Sequence, residues 1–146
     1  MKPSDRPIRV LVADDSPSAL ACICRYLEFE GTFEIVGTAS DGLRLVQKAG
    51  RLRPDLVLTD LSMPLLNGLE ATTELRRLFP ELRIVVITQL SGLSLREECV
   101  RRGADALVEK SQMPERLMEE VSKLFPRDSA LEQGRLPDSL ECNGKS

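Results

Sequence analysis

"PDLVLTDLSMPLLNG", residues Pro54–Gly68, carries both the fold and the chemistry. An apolar run, Leu56-Val57-Leu58, ends on a single acid, Asp60, and then opens into a loop with Pro64 and the turn pair Asn67-Gly68. A near-continuous apolar run of this length suits a strand buried on both faces. Such strands belong to parallel sheets, whose functional groups gather at the carboxyl ends of the strands. The carboxylate at the tip of this strand is therefore the first candidate for chemistry.

Working outward, this strand (55–59) is one of five, with "IRVLVA" (8–13), "FEIVGTA" (33–39), "RIVVIT" (83–88) and "DALVE" (105–109). Helical patterns follow each. Ser16-Pro17 predicts the N-cap and first residue of a helix with the stripe Leu20, Ile23, Cys24 and Leu27, and Gly31 ends it. Leu45, Val46, Ala49 and Leu52 mark a second helix, stopped by Pro54. Asn67 caps a third, with an expected inner face of Ala71, Leu75, Leu78 and Phe79. Ser94 and Glu97 have capping-box spacing for a fourth, ended by Gly103; its apolar face (Leu95, Cys99, Val100) is thin. The fifth runs from Pro114 to Phe125, with Leu117, Met118, Val121 and Leu124. This (βα)5 alternation predicts an α/β fold: a five-stranded parallel sheet with helices on both faces and right-handed crossovers. The expected organisation is a lead (1–7), one folded domain (8–125) and a polar, aperiodic, flexible tail (126–146).

Hydrophobic residues make up 42% and charged residues 29%, which are globular proportions. The net charge of −3 is unlike a basic nucleic-acid surface. No apolar run approaches a membrane span, and "MKPSDRPIRV" lacks the apolar core of a signal peptide. The chain is expected to be cytoplasmic, with no membrane and no direct nucleic-acid contact. Its cysteines, at 22, 24, 99 and 142, form no CxxC pair, and there is no histidine. The missing imidazole excludes Ser-His-Asp and Cys-His catalysis and argues against a zinc site.

The strand tips present Asp14-Asp15, Asp60, Thr88 and Lys110. Like charges at 4 Å and an effective dielectric of 20 repel by roughly 4 kcal/mol per pair. Either a carboxyl holds a proton or a hard cation neutralises the group. Mg2+ suits the second exit, because it takes oxygen ligands and binds through one or two carboxylates. Asp60 can then act as a nucleophile toward phosphorus. Lys110 and Thr88 are placed to stabilise the oxygens of a transferred phosphoryl group.

"VADDS" after the first strand, "TDLSMPLLNG" after the third, Thr88 closing the fourth and "GADALVEKS" around Lys110 together resemble a response-regulator receiver domain of two-component signalling, here in single-domain form. The resemblance spans Ile8 to Phe125 and implies a flavodoxin-like doubly wound sheet of strand order 2-1-3-4-5. It implies that Asp60 is the phosphoacceptor, loaded from a phosphohistidine of a sensor histidine kinase or phosphotransfer protein. It implies that Asp15, Asp60 and the Ser62 main-chain carbonyl ligate Mg2+, with Asp14 acting mainly through water. Lys110 would pair with Asp60 at rest and with the phosphoryl afterwards. Thr88 would swing toward the phosphoryl and shift the surface of helix four, strand five and helix five, used for a downstream target or self-association. The chain would not be an enzyme beyond promoting its own phosphorylation and dephosphorylation.

Three positions depart from the family pattern. Leu107 replaces the usual aromatic residue three before the lysine, and it reads as a core leucine. Ser111 replaces a frequent cis-proline, so a trans bond is expected there. Gln89 replaces a small residue, and its amide is placed to narrow the approach to Asp60. Rival functions are a docking-only pseudo-receiver, a Mg2+-dependent phosphohydrolase working through an aspartyl phosphate, and a nucleotide or flavin binder. Ser62 stands where the phosphohydrolase needs a second acid, and the acids of "ADDSPS" oppose bare phosphate binding.

Overall fold

The five apolar runs form β1 (Ile8–Ala13), β2 (Phe33–Ala39), β3 (Leu56–Asp60), β4 (Arg83–Thr88) and β5 (Ala106–Glu109) in a computed structural model that describes residues 6–90 and 92–126. All pairings are parallel, in the order β2-β1-β3-β4-β5. β3 and β5 start one residue later than their sequence patterns suggest, and β3 continues through Asp60, buried at all five positions. The helices are α1 (Pro17–Glu30), α2 (Gly42–Leu52), α3 (Gly68–Leu78), α4 (Leu93–Arg101) and α5 (Glu115–Leu124).

Alternation along the strands divides the core between two faces. Val10, Val12, Leu58, Val85, Ile87 and Val108 pack against Ile23, Tyr26 and Leu27 of α1 and Leu117 and Val121 of α5. Leu11, Val57 and Ile84 face Leu45 and Ala49 of α2 and Ala71 and Leu75 of α3. Leu61, Val86 and Leu107 close on Cys99 of α4. Each fully buried aliphatic side chain contributes about 1.5–3 kcal/mol relative to exposure, so the sheet is held from both sides.

The caps explain where the helices begin. Ser16 Oγ accepts from the Ala19 N–H, Pro17 opens α1, and Gly31 closes it at φ 76°. Asn67 and Glu70 form a reciprocal capping box on α3. Asp41, which the sequence reading passed over, caps α2 through a 2.7 Å bond from the Arg44 N–H.

Two expectations need correction. Ser94 is not the cap of α4; the helix starts at Leu93, behind Gly92, with no side-chain cap. Gly92 sits at φ 128°, a conformation that glycine tolerates, and as N-cap it starts the helix two residues earlier than a Ser94 cap would. Leu78 is 44% exposed rather than inward, because α3 turns its Ala71–Leu75 face to the sheet. The apolar face of α4 is thinner still than expected: Cys99 is its one buried residue, and Val100, assigned to that face, is 55% exposed. The proposed tail, apart from Pro126, and most of the lead lie outside the described residues. Among the described residues no helix is long and apolar enough to cross a membrane.

Candidate functional site

Strand register brings the candidate residues to one edge. Ala13 pairs with Thr59, Asp60 with Ile87, and Thr88 with Glu109. Asp14 therefore leaves β1, and Lys110 leaves β5, at the level where β3 ends on Asp60. Asp14, Asp15, Asp60, Ser62, Thr88, Gln89 and Lys110 all line one cleft there, together with Ser18 and Ala19 of α1.

The three acids offer carboxylate oxygens within 4.8 Å of one another. They are not equivalent. Asp14 is 1% exposed; its Oδ1 accepts from the Ser16 N–H at 2.9 Å and its Oδ2 from Lys110 Nζ at 2.9 Å. Asp15 is exposed, and Asp60 is buried with Oδ1 3.4 Å from Lys110 Nζ. Lys110 at rest thus lies nearer Asp14 than Asp60. Ser62, exposed, borders the cleft next to Asp15.

Burial pushes the Asp60 carboxyl above its ordinary value of 3.8, the Asp14 charge adds to this, and Lys110 opposes both. Burial alone would lower the Lys110 pKa; the hydrogen bond and charge of Asp14, followed by those of Asp60, outweigh it and hold the ammonium above 10.5. Lys110 is therefore a fixed cation at neutral pH.

Thr88 is 2% exposed, and its Oγ1 accepts a 3.0 Å bond from the Leu90 N–H. Leu107 is 2% exposed among Leu61, Val86 and Cys99, and Arg96 of α4 donates a 3.2 Å bond to its carbonyl. The Lys110–Ser111 bond is not cis; among the described residues the cis bond is Met113–Pro114, beyond a short 3-10 turn at Lys110–Gln112.

The loop after Asp60 is tightly built. A three-residue turn closes from Leu66 N–H to the Pro64 carbonyl at 2.7 Å, leaving Leu65 at φ 70° and 75% exposed. Gly68 does more than turn the chain. A Cβ there would lie 2.3 Å from the Asp60 carbonyl oxygen and 2.8 Å from Leu61 Cα. Its missing side chain lets the start of α3 abut the acid-bearing end of β3, while its N–H donates to the Leu61 carbonyl at 2.7 Å. Sequence reasoning saw a turn in Asn67-Gly68 and missed this contact, for which a glycine alone gives little signal. It also missed Arg96, whose role depends on the packing of α4 beside β5.

The model of the response regulator receiver domain matches residues 10–122. The chain belongs to this family. Protein-glutamate methylesterase/protein-glutamine glutaminase 4 of Myxococcus xanthus is 37% identical over 137 residues, covering 93% of this chain and 36% of that protein. Chemotaxis protein CheY of Thermotoga maritima is 28% identical over 116 residues, 80% of this chain and 96% of the relative. The response regulator domain of Thermotoga maritima CheB superposes with a TM-score of 0.77 at 30% identity, covering 84% of this receiver and 99% of that chain. The receiver spans about a third of the methylesterases that it matches, 36% and 35% in two of them.

The donor set of the receiver fits a hard divalent cation. The acids of the cluster offer oxygen alone, with no imidazole and no thiolate among the three. Both Asp14 oxygens accept protein donors, the Ser16 N–H and Lys110 Nζ, whereas Asp15 is exposed to the cleft.

Proposed function

We propose that this receiver is the phosphoacceptor of a two-component phosphorelay, with Asp60 as the acceptor. The observation that carries this reading is the convergence of a buried acid, two further acids and one lysine on a single sheet edge. In the reaction an Asp60 carboxylate oxygen attacks phosphorus. The P–N bond to the donor imidazole breaks, and its electron pair stays on the leaving nitrogen, which ends protonated from solvent. Lys110 stands 3.4 Å from Asp60 Oδ1, within reach of an oxygen of the group bonded there. Asp15 and Asp60, with the Ser62 main-chain carbonyl, would hold Mg2+, and Asp14 would act through water. Bound there, the ion supplies charge neutralisation to the phosphoryl oxygens.

The sequence has no histidine to carry a phosphohistidine, which supports an acceptor role with the donor on a histidine kinase or phosphotransfer protein. The Thr88 hydroxyl, buried beside the site, turns from the Leu90 N–H toward the phosphoryl. That motion alters the surface of α4, β5 and α5, where Leu93 is 70% and Val100 55% exposed. Partner binding or self-association through this surface is the output.

Incubation with Mg2+ and acetyl phosphate, followed by intact mass, tests the reading. We expect an adduct of about 80 Da, one phosphoryl group, lost in Asp60→Asn. An adduct that persists in Asp60→Asn, or none in the wild type, refutes it.

A further inference from the structure

Cys22, on the second turn of α1, is disulfide-bonded. It is half-buried and lines the same cleft as Asp14, Asp15 and Asp60. Of the other cysteines, Cys24 and Cys99 are free thiols. The sequence holds one more, Cys142, which lies outside the described residues. Elimination therefore leaves a single partner within the chain.

Reach permits this pairing. Phe125, just past α5, lines a groove with Pro54, Pro80 and Arg83, at the amino ends of β3 and β4. The chain beyond it must travel from that end of the sheet to the cleft end. α1 and α5 pack on the same sheet face, so the path stays on one side of the sheet. The 14 residues of α1 are about 21 Å long. The stretch from Phe125 to Cys142 spans up to roughly 55 Å when extended. Reactivity points the same way. Burial pushes the Cys24 and Cys99 thiols above their ordinary 9.0, and the charges of Glu28 and Glu98 respectively add to this. Only the thiolate attacks an oxidant, so both are poor competitors.

We propose that Cys22 and Cys142 form a redox-sensitive closure that ties the C-terminal segment to α1 beside the acid-bearing cleft. The oxidant is a low-molecular-weight disulfide such as oxidised glutathione. One cysteine thiolate attacks it, its S–S bond breaks, and one glutathione leaves as thiolate. The second cysteine thiolate attacks the mixed disulfide and displaces the other glutathione. Two protein thiols are oxidised, two glutathiones are reduced, and the two cysteine protons pass to the glutathione thiolates. The bond closes a loop over most of the chain, and a crosslink restricts the unfolded chain more as its loop lengthens. The oxidised form is therefore the more stable one, and a reducing compartment opens the tether.

In the test, the full chain is incubated with oxidised glutathione, alkylated, denatured and cut with trypsin without reduction. We expect peptides 10–25 and 136–145 to run as one crosslinked pair that dithiothreitol separates. Cys22→Ser and Cys142→Ser should each abolish the pair, and Cys24→Ser should keep it. The urea midpoint of the wild type should be higher oxidised than reduced, a difference lost in Cys142→Ser. Four results overturn the closure: an alkylated Cys142, a covalent dimer instead of a monomer, a pair that survives Cys22→Ser, or equal midpoints for the two forms.

Discussion

Lys110 Nζ is 2.9 Å from Asp14 Oδ2, closer than its 3.4 Å approach to Asp60 Oδ1. We therefore expect the neighbouring acids Asp14 and Asp15 to take different duties. Asp14→Ala removes the acceptor of the Ser16 N–H and the nearer partner of Lys110. It should cost about 1–2 kcal/mol in urea unfolding, since part of the loss is offset by relief of repulsion with Asp60. Asp15→Ala, at an exposed position, should leave stability within about 0.5 kcal/mol but weaken Mg2+ binding about tenfold or more in a metal titration. Equal effects of the two variants on both measurements would contradict the assignment.

Asp60 sets a pH dependence of known sign. Its folded pKa lies above 3.8, so the folded chain holds that proton more tightly than the unfolded chain does. Stability from this group is therefore full at low pH and declines as pH rises through the folded value. Asp60→Asn removes the decline. With a chelator present, the variant should gain stability relative to wild type as pH rises above about 4, as read from denaturant midpoints. A constant difference over that range would show that Asp60 carries no raised pKa.

The same linkage acts at the alkaline end through Lys110. Its pKa is raised above 10.5, so its contribution is present at neutral pH and lost as pH climbs through the folded value. Lys110→Met should abolish the part of alkaline destabilisation seen in wild type but not in the variant. Superimposable alkaline unfolding curves would exclude the pairing.

Gly68→Ala tests the close approach of α3 to β3. The added methyl would meet the Asp60 carbonyl oxygen at 2.3 Å, so backbone must shift. The expected cost is about 1–3 kcal/mol, with slower phosphoryl uptake because the shift moves the acceptor itself. Unchanged stability and uptake would mean that the contact relaxes freely.

Thr88→Val keeps the shape of the side chain and removes the acceptor of the Leu90 N–H. A loss of about 1 kcal/mol is expected, together with faster amide exchange at the start of α4. Phosphoryl uptake should continue, but the exchange pattern of Leu93–Arg101 should no longer change upon it. Arg96→Ala, which frees the Leu107 carbonyl, should loosen the same helix without touching the turn. Identical exchange in all three proteins would argue that these two bonds do not hold α4.

Much of this architecture is legible in the chain because its signals are local. The Leu56–Asp60 run, the Ser16-Pro17 start and the Asn67 cap each depend on residues within one or two turns. The strand tips follow from those elements, so Asp14, Asp15, Asp60, Thr88 and Lys110 could be named in advance as neighbours. What escaped depends on distant partners. Ser94 has the right spacing to Glu97, yet the helix begins at Leu93, since Gly92 supplies the backbone turn. The nearer pairing of Lys110 with Asp14, the tight seat of Gly68 and the reach of Arg96 to Leu107 are set by three-dimensional packing. No periodicity encodes them.

Asp14 and Lys110 are 96 positions apart, at the ends of β1 and of the edge strand β5, with β3 and β4 between them. A half-assembled chain would expose its acids with no ammonium to balance them. The charge balance of the cleft thus depends on β5 having paired with β4, which brings Lys110 to Asp14 and Asp60.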